Sequence, residues 1–202
     1  MTSIERILLA AGISAIAGVD EAGRGACAGP LVVAAVILSN PFSAKLLGVR
    51  DSKELSPGIR ETLFEIIAME ALSISVVVIP SEEIDERGVH AANLDGMRRA
   101  VQGLDTPPEY VLTDGYAIYG LGIPSLGVWK GDQVVQTISA ASIVAKVTRD
   151  HIMQNLDLKY LGYGLAAHKG YSTPAHLAAI KTLGPLPIHR RSFANIAALI
   201  NN

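Results

Sequence analysis

The apolar run Leu31 to Leu38, rich in valine and leucine, has the length and composition of a strand buried on both faces. Upstream, Ile13 to Asp20 reads as another strand. Gly23, Gly25 and Gly29-Pro30 punctuate the gap between them, so the two are expected to form a hairpin-like pair. Residues 4–11 have the spacing of a short opening helix. Ser56 followed by Pro57 is a helix start, an N-cap and then a first-turn proline, and that helix should run to about Ala71. Ser73 to Ile79 alternates β-branched residues and predicts a third strand, closed by Pro80. Ser81-Glu82-Glu83 opens a helical segment that Gly88 interrupts, and a second helix covers about Ala91 to Gly103. After Pro107-Pro108 comes the short strand Tyr110 to Thr113, with Asp114-Gly115 where it stops. Beyond the glycine-rich stretch Tyr119 to Gly127 comes Trp129-Lys130-Gly131-Asp132. Helices follow over about Ile138 to Tyr160 and Pro174 to Leu183, then a short last one after His189-Arg190-Arg191-Ser192-Phe193.

Strands thus fall mainly in the first 115 residues and helices in the last 70 or so, with mixed connectivity. That order predicts an α/β fold, one domain over 1–202 of which about 138–202 is mainly helical. A dinucleotide-binding sheet is disfavoured. Gly23-Arg24-Gly25 lacks the third glycine of that fingerprint and precedes an apolar strand rather than a helix.

Composition adds limits to this picture. Half of the residues are hydrophobic and 18% charged, enough for a sizeable core and contrary to a disordered chain. The single cysteine, Cys27, excludes an intramolecular disulfide and a multi-cysteine zinc site, and reads as a small buried hydrophobe. Ile7 to Ala17 resembles a signal-peptide core behind Arg6. Glu5 weakens the charged flank, however, and cleavage near Ala17 would cut beside Asp20, so a cytoplasmic protein is expected. No membrane span is expected either, because the run Ala26 to Leu38 is broken by Gly29-Pro30 and falls short of ~20 residues. Charge is asymmetric: residues 1–129 carry 9 basic and 16 acidic side chains, residues 130–202 carry 8 and 3. One basic face could bind a polyanion, unless the two sets intermix on folding.

The chemistry centres on acidic residues at element ends. Asp20 and Glu21 close one strand, Asp114 another, and Asp132 sits in a glycine-flanked loop before a helix. Two divalent cations ~3.5–4 Å apart need about that much carboxylate. Beside them Arg24, between two glycines, can grip a phosphate or a sugar hydroxyl where the backbone approaches closely. Asp20-Glu21-Ala22-Gly23-Arg24-Gly25, Asp51-Ser52-Lys53, Thr113-Asp114-Gly115, Lys130-Gly131-Asp132, the stretch from Ala140 to Asp150, and His168-Lys169-Gly170-Tyr171 resemble, in order, the motifs of bacterial ribonuclease HII, a type 2 ribonuclease H. The resemblance spans roughly residues 14–195.

That resemblance implies a ribonuclease H-like mixed sheet flanked by helices, with a helical C-terminal extension. It implies an endonuclease that cuts the RNA strand of RNA/DNA hybrids and nicks duplex DNA 5′ to an embedded ribonucleotide. Mg²⁺ or Mn²⁺ would be held by Asp20, Glu21, Asp114 and Asp132 in a two-metal mechanism. Gly23, Arg24 and Gly25 would read the ribose 2′-OH and the neighbouring phosphate, and Tyr171 would pack on the sugar at the junction. The expected partners are the hybrid and ribonucleotide-containing duplex, with the protein a monomer. Lys53, Lys146, Arg149, His168 and Lys169 are candidate phosphate contacts; for Lys146 and Arg149 a solvated helix face is the alternative. Asp150 is expected to pair with a nearby cation, and Trp129 to lie in the core. His189-Arg190-Arg191 either binds the nucleic-acid backbone or caps the last helix. The chain departs from the family pattern at Ala26-Cys27, Thr137 and Ser172, none of which removes a proposed ligand.

Overall fold

The computed structural model describes residues 3–200. Five strands form one sheet: β1 (Ile16–Ala22), β2 (Leu31–Leu38), β3 (Ala71–Ile79), β4 (Tyr110–Asp114) and β5 (Ser125–Val128), in the spatial order β3-β2-β1-β4-β5. β1, β2 and β3 pair antiparallel, whereas β4 runs parallel to both β1 and β5. The expected hairpin-like pair is therefore present, and the sheet is mixed. β5 overlaps the glycine-rich stretch Tyr119 to Gly127, to which the sequence reading assigns no element, since three glycines and a proline obscure its short apolar pattern.

The helices cover both faces. In chain order they are α1 (Ile4–Ala10), α2 (Pro57–Glu70), α3 (Ser81–Arg87), α4 (Val89–Gln102), α5 (Gly131–Val134), α6 (Gln136–Lys159), α7 (Leu165–His168), α8 (Pro174–Leu183) and α9 (Ala194–Ile200). Every residue of β2 is buried, as its unbroken apolar run requires. Val32, Ala34, Val36 and Leu38 pack beneath α2 and α6, while Leu31, Val33, Ala35 and Ile37 pack against α4. A third cluster ties Cys27 and Met153 to α8 and α9. Cys27 is fully buried, as expected. Among the described residues no helix is long and apolar enough to cross a membrane.

Two local features fix α6 against the sheet. Gly18 in β1 has no room for a Cβ, which would collide with the backbone of Thr137 and Ile138, so helix and strand approach to backbone contact. The first turn of α6 has no cap of its own. Glu5, buried in α1, accepts hydrogen bonds from Gln136 N (3.1 Å) and Thr137 N (2.9 Å), and its negative charge suits the helix N-terminus.

Candidate active site

Strand alternation sends the adjacent carboxylates of β1 to opposite faces of the sheet. Asp20 points with Gly18 and Ala22 toward α6, whereas Glu21 follows Ala17 and Val19 toward α4. Val19 pairs with Thr113 in the parallel register, which brings Asp114 level with Asp20 at the same sheet edge. Asp132 enters from α5. Lys130 adopts a left-handed backbone (φ 54°) that turns the chain after β5, and Gly131 N then donates to Asp114 Oδ1 at 2.7 Å. As a result, one oxygen from each of Asp20, Asp114 and Asp132 lies within 4.8 Å of the others. Glu21 does not belong to this trio, although it borders the same cavity.

These carboxylates raise one another's proton affinity. Burial, and then the charges of Glu21 and Asp114, push the Asp20 carboxyl well above its ordinary range. Burial also raises Asp114, with Asp132 adding to it, and burial raises Glu21 against the opposing Asn93 amide and Arg24. The counter-charge is Lys53, whose Nζ donates to Asp132 Oδ2 at 3.0 Å. Burial alone would lower the Lys53 ammonium, but Asp132, Asp51 and Asp20 outweigh it and hold the group above its usual value. The donor set suits Mg²⁺ or Mn²⁺: hard carboxylate oxygens crowded onto one point, with Glu21 Oε2 buried and unpaired beside them.

The loop between β1 and β2 wraps the other side of the site. Gly23 has φ 88°, and a Cβ there would strike the Arg149 guanidinium. Arg24 lies over the Tyr116 ring (4.8 Å), donates to its hydroxyl (3.2 Å) and stands 3.7 Å from Glu21 Oε1. Gly25 faces Tyr171, whose ring is 42% exposed. A cavity of about 410 Å³ is walled by Asp20, Glu21, Arg24, Asp114, Lys146 and Tyr171, among others.

Several expected phosphate contacts are engaged by the protein itself. Arg149 is 1% exposed and donates to three carbonyls, Pro30 O (2.9 Å), Ala28 O (3.1 Å) and Lys169 O (2.8 Å). It is a buried clamp on the wall of the same cavity rather than a solvated helix face. His168 is likewise corrected: Nδ1 accepts from Gly170 N and Nε2 meets Tyr163 O, so both ring nitrogens are engaged. Arg190 neither caps α9 nor faces solvent. It is buried and donates to Gly29 O and Arg24 O, holding the glycine loop from below. Trp129 is not core but 82% exposed. Lys146 pairs with Asp150 (2.6 Å), the cation expected for that aspartate, and still borders the cavity. Lys169 lines an adjoining cleft with Lys146 and Arg60.

A chain of neutral histidines supports the tyrosine loop. Leu186 N donates to His189 Nδ1 (2.8 Å), His189 and His176 meet through their Nε2 atoms (3.2 Å), and His176 Nδ1 reaches Tyr171 O (3.0 Å). The tautomers follow from the first donor: each remaining N–H then points along the chain toward Tyr171 O. Burial pushes His176 down to about 4. Sequence reasoning missed this relay, and it also missed Tyr116 and Asn93 and gave Asp51, quoted within a motif, no role. Asn93 is fully buried on α4 and turns its amide toward Glu21. A polar residue on the apolar face of α4 was the signal that could have found it.

The same architecture occurs in a solved ribonuclease H2 from Pyrococcus horikoshii, with a TM-score of 0.79 and 30% identity over 92% of this chain and 97% of that one. Sheet, helices and carboxylate trio together define an endonuclease of the ribonuclease H class. The family model described as Ribonuclease HII matches residues 17–196, and the chain belongs to that family. A Ribonuclease HII from Rhodococcus opacus is 54% identical over the whole chain and 89% of its own length. One from Acidothermus cellulolyticus is 57% identical over 95% of this chain, which spans only 62% of that relative.

Proposed function

We propose that the protein hydrolyses the RNA strand of RNA/DNA hybrids and nicks duplex DNA 5′ to embedded ribonucleotides, leaving 3′-OH and 5′-phosphate ends. It acts as a cytoplasmic monomer formed by one catalytic domain. One observation carries the reading: Asp20, Glu21 and Asp114, the Gly23-Arg24-Gly25 loop and Tyr171 border one cavity, and Asp132 completes the carboxylate trio beside it. Asp20, Asp114 and Asp132 would hold Mg²⁺ or Mn²⁺, with Glu21 contributing from the opposite face of β1. Bound divalent cations supply Lewis-acid activation of water and charge stabilisation at the leaving oxygen.

The remaining roles belong to the chain itself. The glycine loop admits a nucleotide sugar to close backbone approach, where a 2′-OH is the group that separates RNA from DNA. Tyr171 offers a ring face to that sugar and a hydroxyl for hydrogen bonding. Lys53, Lys146 and Lys169 balance phosphate charge along the cavity and its adjoining cleft. Arg149 and Arg190 hold both recognition loops in register from beneath. Recognition and cutting are adjacent in the cavity, so the cut falls at a fixed offset from the ribonucleotide.

The test is a duplex carrying one ribonucleotide, incubated with Mg²⁺ or Mn²⁺ beside an all-DNA control, with the cut position mapped. Nicking confined to the 5′ side of the ribonucleotide is expected. Equal cutting of both duplexes, or cutting undiminished by chelator, would overturn the reading. Tyr171→Ala should lower the preference for the ribonucleotide junction while leaving the unfolding midpoint in place.

A further inference from the structure

The chain has one tryptophan, Trp129, and its ring stands in water. It belongs to none of the hydrophobic clusters, so packing does not account for it. Its place is nonetheless fixed: it follows β5 directly and precedes the left-handed Lys130 that turns the chain into Asp132. A large apolar ring held beside a carboxylate centre calls for an occupant.

The cavities around the carboxylates indicate which one. One, of about 410 Å³, is lined by Tyr171 but not by Trp129; another, of about 460 Å³, is lined by Trp129 and Lys130 but not by Tyr171. They share Glu21, Arg24, Lys53 and Asp114, and so join into one groove that crosses the catalytic carboxylates. Arg24, Lys53 and Lys130 stand among the carboxylates of that groove as donors to the phosphate oxygens of a phosphodiester strand. On this basis, and resting on the function proposed above, we propose that Trp129 packs against a sugar of the cleaved strand, on the far side of the scissile phosphate from Tyr171. The strand is then held by an aromatic ring at each end of the groove. Sugar rings present apolar C–H faces, which makes the contact tolerant of base sequence.

A single tryptophan makes the test direct. Full-length Asp114→Asn protein, chosen to bind without cutting, is titrated in Mg²⁺ with a dye-labelled duplex bearing one ribonucleotide. Anisotropy of the dye reads binding and tryptophan emission reads the contact. The emission should change with the same midpoint as the anisotropy. A duplex shortened on the Trp129 side should still bind but leave the emission unaltered. In the otherwise unaltered enzyme, Trp129→Ala should weaken binding about two- to tenfold, with the loss carried by KM rather than kcat, and Trp129→Phe should restore most of it. Saturating anisotropy with constant emission, or a Trp129→Ala variant that binds as tightly as its parent, would overturn the proposal. Absence of binding by anisotropy would remove the functional reading itself, and the role of Trp129 with it.

Discussion

Replacing Asp114 by Asn should abolish cleavage and at the same time make the metal-free protein more stable. The carboxylate oxygens of Asp20, Asp114 and Asp132 lie within 4.8 Å of one another. Two unit charges at that separation repel by about 0.9 kcal/mol in water and about 3.5 kcal/mol at an effective dielectric of 20. Asp114 is half-buried, and neutralising it also forfeits its attraction to Lys53, so the lower end of that range applies, about 1 kcal/mol. The amide keeps the acceptor that Gly131 N requires, so geometry is conserved. For a chain of this size about 1 kcal/mol corresponds to an upward shift of roughly 2–4 °C in Tm. The pH dependence has a defined sign. The folded Asp114 carboxyl is raised above its ordinary 3.8, so its penalty is complete at neutral pH and fades as pH falls through the folded value. The advantage of the variant should shrink in the same window. Thermal unfolding in chelator at pH 7, paired with the cleavage assay, checks both halves. A variant less stable than its parent, or one that still cuts, would refute the picture of a repulsive carboxylate centre.

Three further outcomes are expected. Gly23→Ala places a Cβ against Arg149 at a φ of 88° and should cost about 2–4 kcal/mol, read from the denaturant midpoint. Arg149→Met leaves the carbonyls of Pro30, Ala28 and Lys169 without their donor and should cost at least about 3 kcal/mol; weaker duplex binding with unchanged stability would instead make Arg149 a phosphate contact. Because folded His176 is pushed from 6.5 down to about 4, its contribution is complete above pH 6.5 and lost as pH falls toward 4. Urea unfolding across that window should show the decline, and His176→Gln should flatten it.

Much of this was legible in the sequence. The run Leu31 to Leu38 predicted a doubly buried strand because burial on both faces leaves no room for polar alternation, and β2 has those bounds. Ser56-Pro57 marked the start of α2 through capping chemistry that acts locally. Asp20, Asp114 and Asp132 could be singled out by their places at element ends, yet their convergence depends on the β1–β4 register, which is a long-range property. Glu21 shows the limit of adjacency: strand alternation turns neighbouring residues to opposite faces. Arg149 and Arg190 misled for a different reason. A cation next to a phosphate-binding motif looks like part of it, and only tertiary packing shows that backbone carbonyls hold the guanidinium. Trp129 misled in the opposite sense, since hydrophobicity predicts burial unless function retains the ring at the surface.

The clamp beneath the glycine loop also orders events in time. Loop 23–30 is synthesised before the groups that hold it: its carbonyls wait for Arg149 and Arg190, more than a hundred residues later. Asp114 and Asp132 arrive in between. A nascent chain carrying β1 and β2 therefore has neither a finished recognition loop nor a complete carboxylate centre. The recognition loop and the carboxylate centre thus both depend on segments made after β1 and β2, and Arg190 is the last of them to join.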